Sequence, residues 1–383
     1  MLTSMIRVLH VLNGFHAGGV ETQLLRILRG YDRSRFHMDA CVIGDDPGPI
    51  AEEARKHGAT ILFCRKSPDL MGFCRRFSRL LHGKNYDIVH SHFEAWSGAL
   101  LRGARMAGVP VRIAQLHGIR PWPAEESDPI SVRAARAVVS VWGRYWLCCH
   151  ATHLLAVSRA VMEKRRLICR RGGLVRLIWT GGVDTDRFSP TNPLSRREPR
   201  QPTILWVGAL RPIKRIDLHL RVLKRVRREL PEVRLVLAGQ GKQEPELRGL
   251  ARQLGVADAV DFLGLRQDVP DLLRSGTVFL SCSEAEGLPT VLLEAQAAGV
   301  PVVARDIAPN REALCEAFHP FLFRGDAVDE AAIQVIRVLT DQRLRDTLSI
   351  MGRDFAVNNF CASAQIVILE GYYESWRNSG KEL

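Results

Sequence analysis

Four groups of residues in this chain combine types and spacings that could do chemistry. The first is Glu284-Ala285-Glu286-Gly287-Leu288-Pro289-Thr290-Val291-Leu292-Leu293-Glu294, two glutamates around an expected helix start. Glu294 lies a little over two helical turns beyond Glu286, so both reach toward that start. The amides of Gly287, Leu288, Thr290 and Val291 would face an anion, and the carboxylates would accept hydrogen bonds from sugar or ribose hydroxyls. An acidic pair that complements a helix dipole has the same spacing. The second group is Arg211 and Lys214 in Gly208-Ala209-Leu210-Arg211-Pro212-Ile213-Lys214-Arg215. Two cations there suit a diphosphate, and a solvated basic loop looks the same. The third, Gly18-Gly19-Val20-Glu21, would bring backbone N–H groups to an anion or form a plain turn. No GxGxxG sequence is present, which weighs against a nicotinamide or flavin. The fourth is histidine. His90 and His92 share a strand face and could pair on a metal, but no third ligand is evident. His117 ends a strand, a position suited to catalysis in α/β folds and equally to a polar loop residue.

These residues sit at the ends of a repeating pattern. Met5–Leu12, Met38–Ile43, Thr60–Phe63, Asp87–His90 and Val111–Leu116 read as strands. Helical runs over Val20–Leu28, Ile50–His57, Leu70–Leu81 and Ser97–Met106 alternate with them. The cycle restarts with strands Thr203–Val207, Val233–Ala238, Val260–Leu263, Val278–Ser281 and Pro301–Ala304. Alternation of this kind implies α/β architecture with parallel sheets covered on both faces. The expectation is two doubly wound, Rossmann-like domains facing across a cleft: 1–188, a proline-rich linker over 189–202, and 203–360, with 361–383 as a terminal helix. Ligands of such sheets bind beyond the carboxyl ends of the strands.

Composition narrows the class. The chain has 383 residues, 46% hydrophobic and 25% charged, which excludes disorder and fibrous folds. No run approaches the roughly 18 apolar residues that span a bilayer. Met5–Leu12 is broken by Arg7 and His10 and is not a signal peptide, so a cytoplasmic location is expected. Nine scattered cysteines without a CxxC argue against a disulfide framework or zinc ribbon; Cys41 and Cys282 read as buried free thiols. Residues 1–190 hold 28 Lys+Arg against 16 Asp+Glu, nearly all of the chain's net +13. A basic face of that size suggests an anionic partner, or only solubility.

Taken in order, the motifs resemble the family 4 retaining glycosyltransferases of the GT-B fold, over almost the whole chain. They are Gly18-Gly19-Val20-Glu21, Asp87-Ile88-Val89-His90-Ser91-His92, Leu116-His117-Gly118, Ala156-Val157-Ser158, Gly182-Val183-Asp184 with Phe188, Gly208 to Lys214, and Glu286 to Glu294 running into Ala295-Gln296-Ala297-Ala298-Gly299-Val300-Pro301. Arg215-Ile216-Asp217 and Glu294-Ala295-Gln296 resemble the bacterial exopolysaccharide and capsule branch. The resemblance implies a retaining, metal-independent transfer of sugar from a nucleotide-sugar, UDP- or GDP-linked, to a glycan or lipid-linked acceptor, in exopolysaccharide, capsule or lipopolysaccharide biosynthesis. It implies that Glu286 holds sugar hydroxyls, Glu294 the ribose, and Arg211 and Lys214 the diphosphate. Gly19 would approach phosphate or acceptor, His117 the donor sugar near the reacting carbon, and Tyr372 to Trp376 would cross back onto domain one. No cofactor or metal is expected.

Three positions depart from the family pattern. Ala209 replaces the usual arginine, with Arg211 as its expected substitute. Gly181-Gly182 replaces Asn-Gly, and Arg215 stands where glycine often follows the lysine. Both glutamates and Lys214 remain, so an active enzyme is expected. An epimerase or hydrolase of the same fold is the alternative, and a non-catalytic binding protein a further one. A nucleic-acid partner is not expected, because aromatics are only 7% and no reader motif is present. A basic helix over Leu70–Leu81, with Leu70, Phe73, Phe77 and Leu80 at helical spacing, is expected to rest domain one on an anionic membrane face.

Overall fold

A computed structural model of the chain describes residues 5–16, 18–118, 141–166, 175–179, 182–190 and 201–379. The chain divides into two compact units, Met1–Gly182 with Ala362–Leu383, and Val183–Cys361. The sequence reading ends domain one at 188, but Val183 to Phe188 belong with the second unit. Val183 donates its N–H to Phe360 O at 2.7 Å and bridges to Cys361, and Phe188 is buried. Most of the expected linker, 191–200, lies outside the described residues.

The first unit is a seven-stranded parallel sheet. Its strands are β1 (Ile6–Leu12), β2 (Phe36–Val42), β3 (Ile61–Phe63), β4 (Ile88–Ser91), β5 (Val111–Leu116), β6 (His153–Ala156) and β7 (Val175–Leu177). Its helices are α1 (Gly19–Gly30), α2 (Ala51–Lys56), α3 (Leu70–Leu81), α4 (Ala95–Met106), the helical residues 141–150 as α5, and α6 (Arg159–Arg166). The order β3-β2-β1-β4-β5-β6-β7 reverses direction between β1 and β4. At such a switch point the connections leave to opposite sides and open a crevice above the strand ends. Both strands are almost wholly buried, which is why they read as mainly apolar runs, with Arg7, His10, His90 and Ser91 as their polar residues. The sequence reading missed β6 and β7, which are only four and three residues long.

The second unit repeats the plan in six parallel strands: β8 (Thr203–Val207), β9 (Arg234–Ala238), β10 (Val260–Gly264), β11 (Val278–Ser281), β12 (Val302–Arg305) and β13 (Leu322–Phe323). Helices α7 (Ile216–Val226), α8 (Glu244–Leu254), α9 (Val269–Ser275), α10 (Thr290–Ala297), α11 (Ala308–Ala313), α12 (Val328–Thr340) and α13 (Gln342–Phe360) accompany them. Here the order β10-β9-β8-β11-β12-β13 reverses between β8 and β11. Gly208 and Gly239 let the ends of β8 and β9 approach backbone to backbone. Gly208 donates its N–H to Ala238 O at 2.9 Å, and a Cβ on Gly239, at φ +145°, would strike the Gly208 carbonyl.

The last helix, α14 (Ala362–Ser379), returns to the first unit. It buries Ile366, Leu369, Tyr373 and Trp376, three or four residues apart, in that unit's core. Arg377 pairs with Asp87 at 3.1 Å, and Glu370 accepts the Asp32 N–H at 2.7 Å.

The expected membrane face of α3 is not available as drawn. Phe73 and Phe77 are fully buried, with Phe73 edge-on to Trp96 and Phe77 against Gly103 of α4. The apolar stripe packs the helix on its neighbour, and only Arg75, Arg76 and Arg79 stay exposed.

Candidate functional site

In the second unit both charged loops leave the strands that flank the switch point. The loop after β8 carries Arg211 and Lys214 on a 3-10 turn, Pro212–Lys214; the loop after β11 carries Glu284 and Glu286. Adjacent strands bring them together across 72 residues of sequence: Lys214 Nζ lies 2.6 Å from Glu286 Oε1. Lys214 keeps 25% of its side-chain exposure and Glu286 13%, so the pair is reachable from solvent. Two further bonds stitch the loops. Glu284 donates its N–H to Ile213 O at 2.9 Å, and Arg215 bonds the Glu284 carboxylate at 2.9 Å.

Arg215 is the structural anchor that sequence reasoning passed over. Its φ of +52° is left-handed, a conformation that favours glycine. A non-glycine residue there costs about 1–2 kcal/mol. Ion pairs to Asp217, Glu284 and Asp326 at 2.9–3.0 Å offset that cost. The same three carboxylates hold its guanidinium as a cation and leave it committed to the scaffold. Buried His219 braces this turn, with Nδ1 3.1 Å from Arg215 O and Nε2 3.0 Å from Leu280 O.

Arg211 is the opposite case. It is exposed and makes no ion pair among the described residues. An uncommitted cation three residues before Lys214 fits the role that Ala209 cannot fill. Arg211→Ala is expected to weaken nucleoside-diphosphate binding about tenfold, the loss of one charge-assisted contact. Titration of UDP or GDP by calorimetry checks it; unchanged affinity would leave Lys214 and backbone amides as the whole diphosphate site.

Glu286 leads into α10, whose start has Pro289 as its cap residue and no side-chain cap. Its first amides, with those of Gly287 and Leu288 before them, are therefore open to a ligand. Glu294 sits on α10 and is half-buried.

In the first unit Gly19 begins α1 and is exposed, and a Cβ added there would meet nothing within 4 Å. Gly18 differs: a Cβ there would collide with the Glu21 carboxylate. That carboxylate is the movable end of a side chain, so packing does not demand glycine at either position.

The histidines gather at the other switch point. His10 on β1 is directly opposite His90 on β4, so both point to the same face of the sheet, and His92 follows two residues on. His10 Nδ1 lies 3.0 Å from His92 Nε2, and His92 Nδ1 lies 3.4 Å from His117 Nε2. His90 Nδ1 lies 2.6 Å from the Tyr373 hydroxyl of α14. The sequence reading found no third partner for His90 and His92. His10 is that partner, and His10, His90 and His92 each offer a nitrogen within 4.8 Å of the other two, a group that could hold a metal ion. Burial pushes the histidine pKa values down, to about 3 for His10 and about 4 for His117, so the rings are neutral.

Comparison with known proteins adds independent findings. Residues 192–355 match the family model described as glycosyl transferases group 1, and residues 18–177 match a glycosyl transferase 4-like domain. The chain is 34% identical over 379 residues to a GDP-mannose-dependent alpha-(1-6)-phosphatidylinositol monomannoside mannosyltransferase of Mycobacterium tuberculosis, covering 92% of this chain and 94% of that one. It is 27% identical over 299 residues to a UDP-Gal:alpha-D-GlcNAc-diphosphoundecaprenol alpha-1,3-galactosyltransferase of Escherichia coli, covering 74% and 73%. Among solved structures, Alr3699/HepE of Anabaena, in complex with UDP and glucose, matches with a TM-score of 0.80 at 20% identity over 97% of this chain and 100% of that one. That likeness places the fold among GT-B proteins.

Proposed function

The chain belongs to the group 1 glycosyl transferases, and on that premise we propose that it moves a sugar, with retention of configuration, from a UDP- or GDP-linked donor to a glycan or lipid-linked acceptor. The observation that carries the reading is the Lys214–Glu286 pair beside the uncapped start of α10. A sugar diphosphate presents hydroxyls next to phosphates, and here a carboxylate stands next to a cation and open amides. Lys214, Arg211 and the amides of Gly287, Leu288 and Thr290 would neutralise the charge that develops on the departing diphosphate. Glu286 would accept hydrogen bonds from donor sugar hydroxyls, and Glu294 from the ribose. From the first unit, His117 would touch the donor sugar near the reacting carbon, and Gly19 would admit phosphate or acceptor. Production of exopolysaccharide, capsule or lipopolysaccharide is the setting in which these substrates occur together.

The test is a panel of nucleotide-sugars scored by thermal stabilisation of the purified chain. A ligand at about 100 times its Kd adds about 2.7 kcal/mol to the folded state, so the true donor stands out. If no nucleotide-sugar and no nucleoside diphosphate shifts the melting temperature, the donor site is misassigned.

Among the described residues no helix is long and apolar enough to cross a membrane. Attachment to an anionic membrane face is part of the proposal, now by a different helix. On α5, Val141, Trp142 and Tyr145 are 67%, 51% and 61% exposed, a pair of amphipathic rings of the kind that settles at headgroup level. The α5 backbone lies against Gly98 of α4, whose other neighbour α3 exposes Arg75, Arg76 and Arg79. Each cation near an anionic leaflet contributes about 1 kcal/mol, screened by salt. The chain is expected to sediment with anionic liposomes at low salt, less at high salt, and less again as Trp142→Ala/Tyr145→Ala. Recovery in the supernatant at low salt rules the attachment out.

A further inference from the structure

The buried histidines do something more specific than fill a core. His10 and His92 form a line of hydrogen bonds that ends on His117, while His90 is bonded separately to Tyr373. Burial keeps His10, His90, His92 and His117 neutral, so each ring has one N–H and one lone pair. Each bond then fixes which nitrogen of the next ring holds the proton.

One nitrogen decides the direction. His10 Nε2 is buried without a hydrogen-bond partner. If the line ran from His117 inward, the proton of His10 would sit on that Nε2, and a buried N–H donor would be orphaned, the costlier arrangement. Running outward, His10 Nδ1–H donates to His92 Nε2, and His92 Nδ1–H donates to His117 Nε2. Only a bare lone pair is then left at His10 Nε2.

We propose that His10 and His92 act as a positioning chain that holds His117 in the tautomer protonated on Nδ1. Nδ1 of His117 makes no hydrogen bond among the described residues, so this chain leaves a fixed, neutral N–H donor for a sugar or phosphate oxygen. The inference rests on the reading of His117 as a contact to the donor sugar. A divalent ion is the rival occupant. It would need lone pairs from His10, His90 and His92 at once, and among the described residues no carboxylate is a hydrogen-bond or ring partner of the cluster to balance its charge.

The test uses the full chain with 15N-labelled histidine, where NMR shifts distinguish the two tautomers. His117 is expected as the Nδ1–H form in the wild type. His92→Phe should release it to the mixed tautomers of a solvated imidazole and lower kcat about 10- to 100-fold, as loss of an orienting partner does, with donor KM unchanged. His92→Gln, whose side-chain amide can donate to His117 Nε2, should restore both the tautomer and most of kcat. A wild-type His117 protonated on Nε2 overturns the proposal. So does a stoichiometric metal in the purified chain that disappears with His10→Ala. A failed catalytic reading is separate: His117→Ala would then transfer sugar normally, while the wild-type spectrum still reports the Nδ1–H tautomer.

Discussion

Glu286→Gln is expected to melt where the wild type melts and to transfer sugar about 30- to 1,000-fold more slowly. The substitution keeps shape and removes charge from a side chain that reaches into the switch-point crevice of the second unit. A contact that strengthens as the donor bond breaks typically supplies about 2–4 kcal/mol to the transition state. The fold should not notice, because the lost partner is Lys214 at 2.6 Å and its ammonium keeps a quarter of its exposure. Partly solvated ion pairs of this kind contribute about 0–1 kcal/mol. Calorimetric melting and initial-rate transfer kinetics with the donor identified by thermal stabilisation check both halves. Wild-type turnover by a folded variant would remove Glu286 from the reaction.

Lys214→Ala is expected to weaken nucleoside-diphosphate binding about 10- to 150-fold, equivalent to about 1.5–3 kcal/mol for a hydrogen bond to a charged group. Two effects add. The cation is gone, and Glu286 is left as an unneutralised carboxylate facing the incoming phosphates. Adding Glu286→Gln removes that repulsion, so the double variant should bind UDP or GDP more tightly than Lys214→Ala alone. Pairs in contact do not add, and the size of the recovery measures their coupling. Affinity unchanged in Lys214→Ala would mean that the pair is only a tie between the loops after β8 and β11.

The two units were readable from the sequence because their elements are written locally. Apolar runs of four to seven residues, set between turn residues and helical repeats, marked β1, β2, β4, β5, β8, β9, β11 and β12 near their observed positions. The charged loops were readable for the same reason, since a βα connection is where a parallel sheet exposes its chemistry. The family was readable from the motifs at those connections, Glu286 to Glu294 above all.

What no local pattern contains is strand order. Only the placement of β8 beside β11 sets Lys214 on Glu286, and only β1 beside β4 sets His10 against His90 and His92. Those neighbours are chosen by how the whole sheet buries its two faces, a property of many residues at once. The same applies to Tyr373, whose hydroxyl reaches His90 from 283 residues away because α14 covers the first unit. It applies as well to the stripe of Phe73 and Phe77. Helical spacing determined that these rings share a side of α3, but spacing is identical for a membrane face and a packed face. The presence of α4 on that side, with Gly103 giving room for a ring, decided that they are buried.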